Sequence, residues 1–188
     1  MRGVATAPQL SYADVELRPW RESDVPEIVA CCSDELVAWW LDAIPQPYTL
    51  EHARAYVAHT REAWRTGSAA SFAVVDPGSG ALLGSMSVRW VDRAAAVAEV
   101  GYWVRSEARG RGVATRALVL AARYALDELH ASRVQLRAEL RNDASQRVAE
   151  KAGFTREGVL RSAGWSARQR RRMDWVMYSL LPTDPLPA

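Results

Sequence analysis

The chain has 188 residues, of which 49% are hydrophobic and 24% are charged, and its formal net charge at pH 7 is +2. This length and apolar content suffice for one domain with a full core, while so small a net charge gives no argument for nucleic-acid or membrane partners. The two cysteines, Cys31 and Cys32, are adjacent and cannot staple a fold, and no apolar stretch approaches the length of a membrane span. We therefore expect a cytoplasmic protein with reduced thiols.

The first half of the chain alternates between helical and strand patterns. Apolar periodicity and capping residues predict, in order, a strand over 12–18, a helix over 23–32, a loop at 44–48 and a helix over 49–66. A meander of strands follows over 71–76, 81–91 and 97–104, with a tight turn at 77–80.

The second half changes to longer connections between its strands. The patterns predict a helix over 112–129, a strand over 133–140, a short helix over 142–151, and two closing strands over 155–163 and 173–181. No linker separates domains, so we expect one mixed α/β (α+β) domain over 12–182, with tails at 1–11 and 183–188.

Glycine and arginine are concentrated before the predicted helix at 112–129, in the stretch RSEARGRGVATRAL at 105–118. Glycines let backbone N–H groups approach a ligand closely, and a helix N-terminus carries a partial positive charge, so this turn favours an anion such as phosphate. A Rossmann turn would need glycine where Thr115 stands, and a phosphate-loop NTPase would need a Gly-Lys-Ser/Thr end. A loop that only eases the helix start remains the alternative.

The segment Arg109-x-x-Gly112-x-Ala114 resembles the (Gln/Arg)-x-x-Gly-x-(Gly/Ala) pyrophosphate motif of the GNAT superfamily of N-acyltransferases. The stretches EVGYWV, NDASQRVAEKAGFTREGVLR and DWVMYSLL are similar to its ribosomal-protein alanine/serine N-acetyltransferase (RimJ/RimL-like) branch, as are LRPWRESDVPEIVACCSDELVAWW and IPQPYTLEHARAYV upstream. The resemblance covers about residues 12–182. It implies the GNAT acyl-CoA N-acyltransferase fold, with a central, mostly antiparallel twisted sheet that is splayed at the cofactor site.

The resemblance also implies acetyl-CoA as co-substrate, with its pyrophosphate held by the backbone amides of the glycine-rich turn. The residues expected to contact it are Trp103, Val104, Arg109, Gly110, Arg111, Gly112, Val113, Ala114, Thr115, Asn142 and Ser145. Amides around Trp103 and Val104 are expected to bind the thioester oxygen. Asn142 is expected to contact the pantetheine arm, to cap a helix, or both. The alternative for Arg109 and Arg111 is that their side chains are solvated on the surface and do not contact the cofactor.

Two residues are the candidates for catalysis. Glu99 lies on one strand face with Gly101 and Trp103, and it is the candidate general base if burial raises its pKa towards neutrality; pairing with a strand arginine such as Arg89 or Arg133 is the alternative. Many superfamily members use a tyrosine as general acid where this chain has Ala149. Ser145, a serine also in the Rim-like relatives, is then the candidate for reaching the thiol sulfur, with a helix-face role as its alternative. No cysteine lies at a plausible nucleophile position, which favours direct transfer in a ternary complex.

Other features bear on the acceptor. Trp39, Trp40 and Tyr48 are expected over the acceptor entrance, with packing in the core as the alternative. The basic run RQRRR at 168–172 lies in a predicted hairpin turn, either as a solvated face or as a contact for RNA or an acidic acceptor. The three histidines show no metal-ligand spacing, so no metal is expected.

The sequence therefore predicts an acetyl-CoA-dependent N-acetyltransferase that acts on a primary amine, with a protein N-terminal α-amine as the leading acceptor. A small-molecule amine, such as an antibiotic or polyamine, and a non-catalytic acyl-CoA-binding module are the alternatives. The length of the acyl group stays open, and so does the oligomeric state, for which a homodimer is one option. Neither a membrane nor a nucleic acid is an expected partner.

Overall fold

The structure is a computed structural model that describes residues 8–187. Its strands are β1 (Leu10–Tyr12), β2 (Val15–Pro19), β3 (Ala69–Val75), β4 (Leu82–Asp92), β5 (Val97–Val104), β6 (Arg133–Glu139), β7 (Thr155–Ser166) and β8 (Arg171–Leu180). Its α-helices are α1 (Val25–Cys32), α2 (Glu35–Trp40), α3 (Leu50–Thr66), α4 (Val113–Arg123) and α5 (Asp143–Lys151). Among residues 8–187, no helix is both long and apolar enough to cross a membrane.

The strands form one eight-stranded sheet in the order β1-β2-β3-β4-β5-β6-β8-β7. Neighbouring strands are antiparallel throughout the described chain except for β5 and β6, which run parallel. That parallel pairing ends at Glu99 and Gln135, after which β6 continues to pair with β8 alone. The sheet is therefore split between β5 and β6, which confirms the predicted mostly antiparallel, splayed sheet of a mixed α/β domain.

Helices cover both faces of the sheet because successive strand residues point to opposite sides. On β3, Phe72 packs in the core that α4 and α5 cover, whereas Ala73 packs with α1 and α3 on the other face. α3 is capped at its start by Thr49, whose Oγ1 accepts from the His52 amide at 3.3 Å. α4 passes into a π-helical turn at Tyr124–Glu128, so the single helix predicted over 112–129 is two segments.

The N-terminal region differs from expectation in two ways. The strand predicted over 12–18 is broken by a turn, because Ala13 has a φ of +52° and the chain folds back so that Tyr12 pairs with Val15. α2 was not predicted, since six residues are too few to show helical periodicity. Its N-terminal cap is Asp34, whose Oδ1 accepts from the Val37 amide at 2.9 Å.

Described residues of both predicted tails make contacts with the rest of the domain. Leu10 and Ser11 belong to β1, while the rest of the predicted N-terminal tail falls largely on residues 1–7, outside the described residues. At the other end, Leu186 packs against the core and the Pro187 carbonyl accepts from Arg123 Nη2 at 2.7 Å. Residues 183–187 are therefore part of the folded domain rather than a free tail.

Candidate active site

A cleft of about 580 Å³ opens where β5 and β6 separate. The glycine-rich turn and the start of α4 form one part of its wall, α5 forms another, and α2 with β6 and Trp175 closes the far side. Ten of the eleven predicted cofactor-contact residues line it, namely Trp103, Val104, Arg109, Gly110, Gly112, Val113, Ala114, Thr115, Asn142 and Ser145.

The start of α4 is open to a ligand because a glycine stands at its N-terminal cap. Gly112 has a φ of +77°, and it offers no side chain to the free amides of the first turn at Val113, Ala114 and Thr115. A Cβ at Gly112 would lie 2.6 Å from Arg116 Nη1. Unsatisfied amides and the positive helix end together make this part of the cleft suited to an anion.

The two arginines of the turn differ in their position relative to the cleft. Arg109 lines the cleft, but its guanidinium donates to Asp34 Oδ1 at 2.7 Å and to the Val104 carbonyl at 3.1 Å. It therefore ties the turn to the start of α2 as well as adding charge. Arg111 does not line the cleft, and its carbonyl accepts from Arg116 Nη2 at 2.7 Å.

Two cations on α5 were missed by the sequence analysis. Arg147 and Lys151 are exposed and both line the cleft. They are four residues apart, which places them on the same side of the helix. That spacing was visible in the sequence and could have identified them.

Strand geometry separates the two residues whose amides were expected to bind the thioester oxygen. The Arg105 amide donates to the Leu83 carbonyl at 3.0 Å, towards β4. Backbone groups alternate along a strand, so the Trp103 amide also points towards β4, whereas the amides of Tyr102 and Val104 point into the gap beside β6. Val104 keeps the orientation needed for the expected role, and Trp103 contributes other atoms to the cleft wall.

Glu99 does not meet the condition for a general base. The residue is only 7% exposed, and its carboxylate is held by Arg89 and by Arg137 at 2.8 and 2.9 Å, with Gln135 at 3.0 Å. Burial alone raises the pKa of Glu99, but the hydrogen bonds from Arg137 and Gln135 and the charges of both arginines lower it overall. The expected rise of the Glu99 pKa towards neutrality is therefore wrong. The alternative, pairing with a strand arginine, holds for Arg89, and the second partner is Arg137 rather than Arg133.

Asn142 and Ser145 lie together at the start of α5. Asn142 Oδ1 accepts from the Ser145 amide at 3.1 Å, so Asn142 caps the helix while also lining the cleft. Ser145 Oγ lies 2.9 Å from the hydroxyl of Tyr102 on β5. Ala149, at the position where many relatives carry a tyrosine, is fully buried. Tyr102 was missed, although strand alternation in EVGYWV already places it on the face opposite Glu99.

The structure brings one of the three predicted acceptor residues into the cleft. Trp40 lines it, whereas Trp39 is 46% exposed outside it. Tyr48 packs against the core between the sheet and α3, with its ring centroid 5.5 Å from that of His52.

The basic run at 168–172 is engaged by its own protein. Arg168 donates to the Ile44 carbonyl at 2.9 Å, and Arg171 donates to the buried Glu139 at 3.1 Å. Gln169 Nε2 donates to the Trp39 carbonyl at 2.9 Å. These contacts of Arg168, Gln169 and Arg171 join the β7–β8 turn to α2, to the loop after it and to the end of β6. Among residues 8–187, no cluster of three or more histidine, cysteine or acidic side chains is arranged to hold a metal ion.

A parallel strand pair that splits beside an uncapped helix N-terminus agrees with the splayed sheet and the pyrophosphate-binding turn that the sequence resemblance implies. Residues 14–155 match the sequence model of the acetyltransferase (GNAT) domain. The chain therefore belongs to the GNAT acetyltransferase family, which confirms the resemblance seen in the sequence. Enzymes of this family transfer an acetyl group from acetyl-CoA.

Individual proteins agree with this assignment. The chain is 36% identical over 105 residues to a protein of Bacillus subtilis (strain 168) named "Putative ribosomal N-acetyltransferase YdaF", and the match spans 56% of each chain, little more than half of that relative. The solved structure of the ribosomal L7/L12 α-N-protein acetyltransferase RimL, in complex with coenzyme A, has a TM-score of 0.80 at 21% identity and covers 93% of this chain and 98% of its own. Mycobacterium smegmatis RimJ, in complex with a CoA disulfide, has a TM-score of 0.78 at 20% identity over 93% and 86%. At these identities the two structures show a shared fold.

Proposed function

We propose that this protein transfers the acetyl group of acetyl-CoA directly to the α-amine at a protein N-terminus. The observation that carries the proposal is the pairing of both carboxylates in the cleft. Glu99 is held by arginines and Glu139, 4% exposed, is held by Arg171; no histidine is among the described residues that line the cleft. The site therefore favours an acceptor that loses its proton without a strong base.

Amine basicity turns this observation into a substrate preference. An α-amine with a pKa of about 7.8 is about one quarter unprotonated near pH 7.4, whereas a lysine ε-amine with a pKa of about 10.4 is unprotonated to about one part in a thousand. The free-base fraction of an α-amine thus exceeds that of a lysine ε-amine roughly 300-fold, which favours α-amines at a site without a strong base. The names of the relatives, which describe ribosomal and α-N-protein acetylation, support the same choice.

The cofactor half of the proposal rests on the start of α4. The pyrophosphate of acetyl-CoA would lie on the free amides of Val113, Ala114 and Thr115, with Arg147 and Lys151 as nearby cations. The pantetheine arm would follow the gap between β5 and β6. This arrangement brings the thioester beside the inward amides of Tyr102 and Val104.

The chemical step follows from that placement. The amine nitrogen attacks the thioester carbon, the C–S bond breaks, and the thiolate leaves while the amine proton passes to water. The Val104 amide is oriented to stabilise the developing oxyanion, and such preorganised donors typically contribute about 2.7–4 kcal/mol. Trp40 and Trp175 give the acceptor side an apolar wall suited to the first side chain of a peptide.

The test is an acceptor panel read by thiol release from acetyl-CoA. Two peptides share one lysine-containing sequence, one with a free N-terminus and one with a blocked N-terminus, and polyamines and aminoglycosides complete the panel. We expect turnover of the free peptide only, with a rate that rises with pH and levels off near the α-amine pKa. Turnover of small-molecule amines alone would replace the acceptor in this proposal, and thiol release from no amine despite CoA binding would favour a binding module.

A further inference from the structure

The hydroxyls of Tyr102 and Ser145 meet inside the cleft from two different elements. Tyr102 lies on β5 and Ser145 in the first turn of α5, and their side-chain oxygens are 2.9 Å apart. Both residues line the cleft, at the point where the inward amides of β5 would face the thioester. A tyrosine hydroxyl is thus present in the site even though Ala149 stands on α5.

The direction of this hydrogen bond matters for chemistry. A phenol is a better donor than an alcohol, and burial raises the pKa of Tyr102 to about 12, so it keeps its proton throughout the working range. The Tyr102 hydroxyl also lies 3.3 Å from the Ser145 carbonyl, but the contact with Ser145 Oγ is shorter. When Tyr102 donates to Ser145 Oγ, the serine proton is free to point into the cleft.

We propose, resting on the acetyl transfer above, that Tyr102 is a positioning residue that aims the Ser145 O–H at the departing CoA sulfur. The sulfur gains negative charge as the C–S bond breaks, and it accepts a hydrogen bond from Ser145 while Ser145 accepts one from Tyr102. Linked hydrogen bonds of this kind strengthen one another. Neither hydroxyl gives up its proton; the thiolate is protonated later by solvent. Tyr102 thereby acts through Ser145 as a hydrogen-bond donor and not as a general acid.

The first test is a double-mutant cycle on turnover. Tyr102→Phe removes one oxygen and keeps the ring, and Ser145→Ala removes the donor itself. We expect kcat to fall about 10- to 1000-fold in Ser145→Ala, at or below the usual general-acid range. In Tyr102→Phe we expect a smaller fall, of about 5- to 30-fold, with the KM for acetyl-CoA changed less than about two-fold. The double variant should be no slower than Ser145→Ala, because Tyr102 acts only through that serine.

Tyr178→Phe is the matched control. Tyr178 is a fully buried tyrosine whose hydroxyl also contacts α5, at Glu150 Oε1 and 3.1 Å, but it does not line the cleft. Its kcat should stay within about two-fold of wild type. Equal losses in Tyr102→Phe and Tyr178→Phe, or losses that multiply in the double variant, would reduce Tyr102 to a packing residue.

The second test does not depend on the acceptor. The thiol of bound CoA is titrated by following thiolate absorbance against pH in wild type and in each variant. Because a hydrogen bond stabilises the charged thiolate, the bound thiol should titrate about one to two pH units below the free thiol and return towards it in Ser145→Ala and Tyr102→Phe. Identical titrations in wild type and Tyr102→Phe would overturn the inference even if amines are acetylated. A lowered thiol pKa without any amine turnover would instead contradict the proposed function alone.

Discussion

Replacing Gly112 by valine should abolish acetyl-CoA binding while leaving a folded protein. Gly112 begins α4 with a φ of +77°, and a Cβ there would lie 2.6 Å from Arg116 Nη1. That neighbour is the far end of a flexible side chain and can move. The valine methyl groups would then occupy the approach to the amides of the first turn, which is the proposed place of the pyrophosphate.

Backbone strain at position 112 and the loss of ligand binding should both change the melting temperature. A left-handed conformation costs an L-residue about 1–2 kcal/mol, so the unliganded variant should melt about 2–8 °C below wild type. At about 100 times the dissociation constant, acetyl-CoA stabilises wild type by about 2.7 kcal/mol, which raises its Tm by about 5–11 °C. The Gly112→Val variant should show no such rise. Thermal scans with and without ligand, together with calorimetric titration, measure both quantities.

Gly80→Val separates backbone strain from loss of the site. Gly80 has a φ of +74° and open space around its Cβ position, and it lies in the turn between β3 and β4, outside the cleft. This variant should lose a similar amount of stability and keep the full ligand-induced rise in Tm. Wild-type acetyl-CoA affinity in Gly112→Val would refute the assignment of the pyrophosphate to the start of α4.

Two further predictions concern stability. Asp34→Ala removes the cap of α2 and the partner of Arg109, so urea unfolding should show that the free energy of unfolding falls by about 1–2 kcal/mol. The neighbouring Glu35→Ala should change it by less than about 0.5 kcal/mol, and equal effects of the two variants would contradict the capping role of Asp34. Hydrogen bonds from Arg133 and Ser179 lower the pKa of Glu157 to about 2, so its contribution is present above the unfolded-state pKa of about 4.3 and is lost as pH falls towards 2. Because Glu157 is partly exposed, Glu157→Gln should cost no more than about 1 kcal/mol at pH 7 and almost nothing well below pH 2, and a stability difference that stays constant across this range would contradict this role of Glu157.

Local patterns were enough to predict most of the fold. The strand expected at 97–104 is β5, Val97–Val104, and the helix expected from Thr49 is α3, because alternation and capping are properties of neighbouring residues. The glycine-rich turn was also identified from local residues, since its φ angles and free amides belong to one short segment. α2 was missed because a short helix carries little periodicity.

The catalytic part of the site depends on register, which the sequence does not display. Glu99 is paired with Gln135 on β6, and this register brings Arg137 within reach of its carboxylate, in addition to Arg89, which the sequence had already offered as a partner. Tyr102 and Ser145 are 43 positions apart and meet only because α5 packs beside the split in the sheet. Trp39 and Trp40 are adjacent, but successive residues of a helix point in different directions, and only Trp40 lines the cleft.

If the protein acetylates a protein α-amine, mass spectrometry will find the acetyl group on the N-terminal nitrogen of a peptide acceptor. A peptide with a free N-terminus and an internal lysine is incubated with acetyl-CoA and the protein, and the product is fragmented. We expect a single acetyl group on the N-terminal nitrogen, formed at a rate that follows the free-amine fraction as pH rises. Acetylation of the lysine instead, or of polyamines and aminoglycosides with the peptide left unmodified, would contradict it.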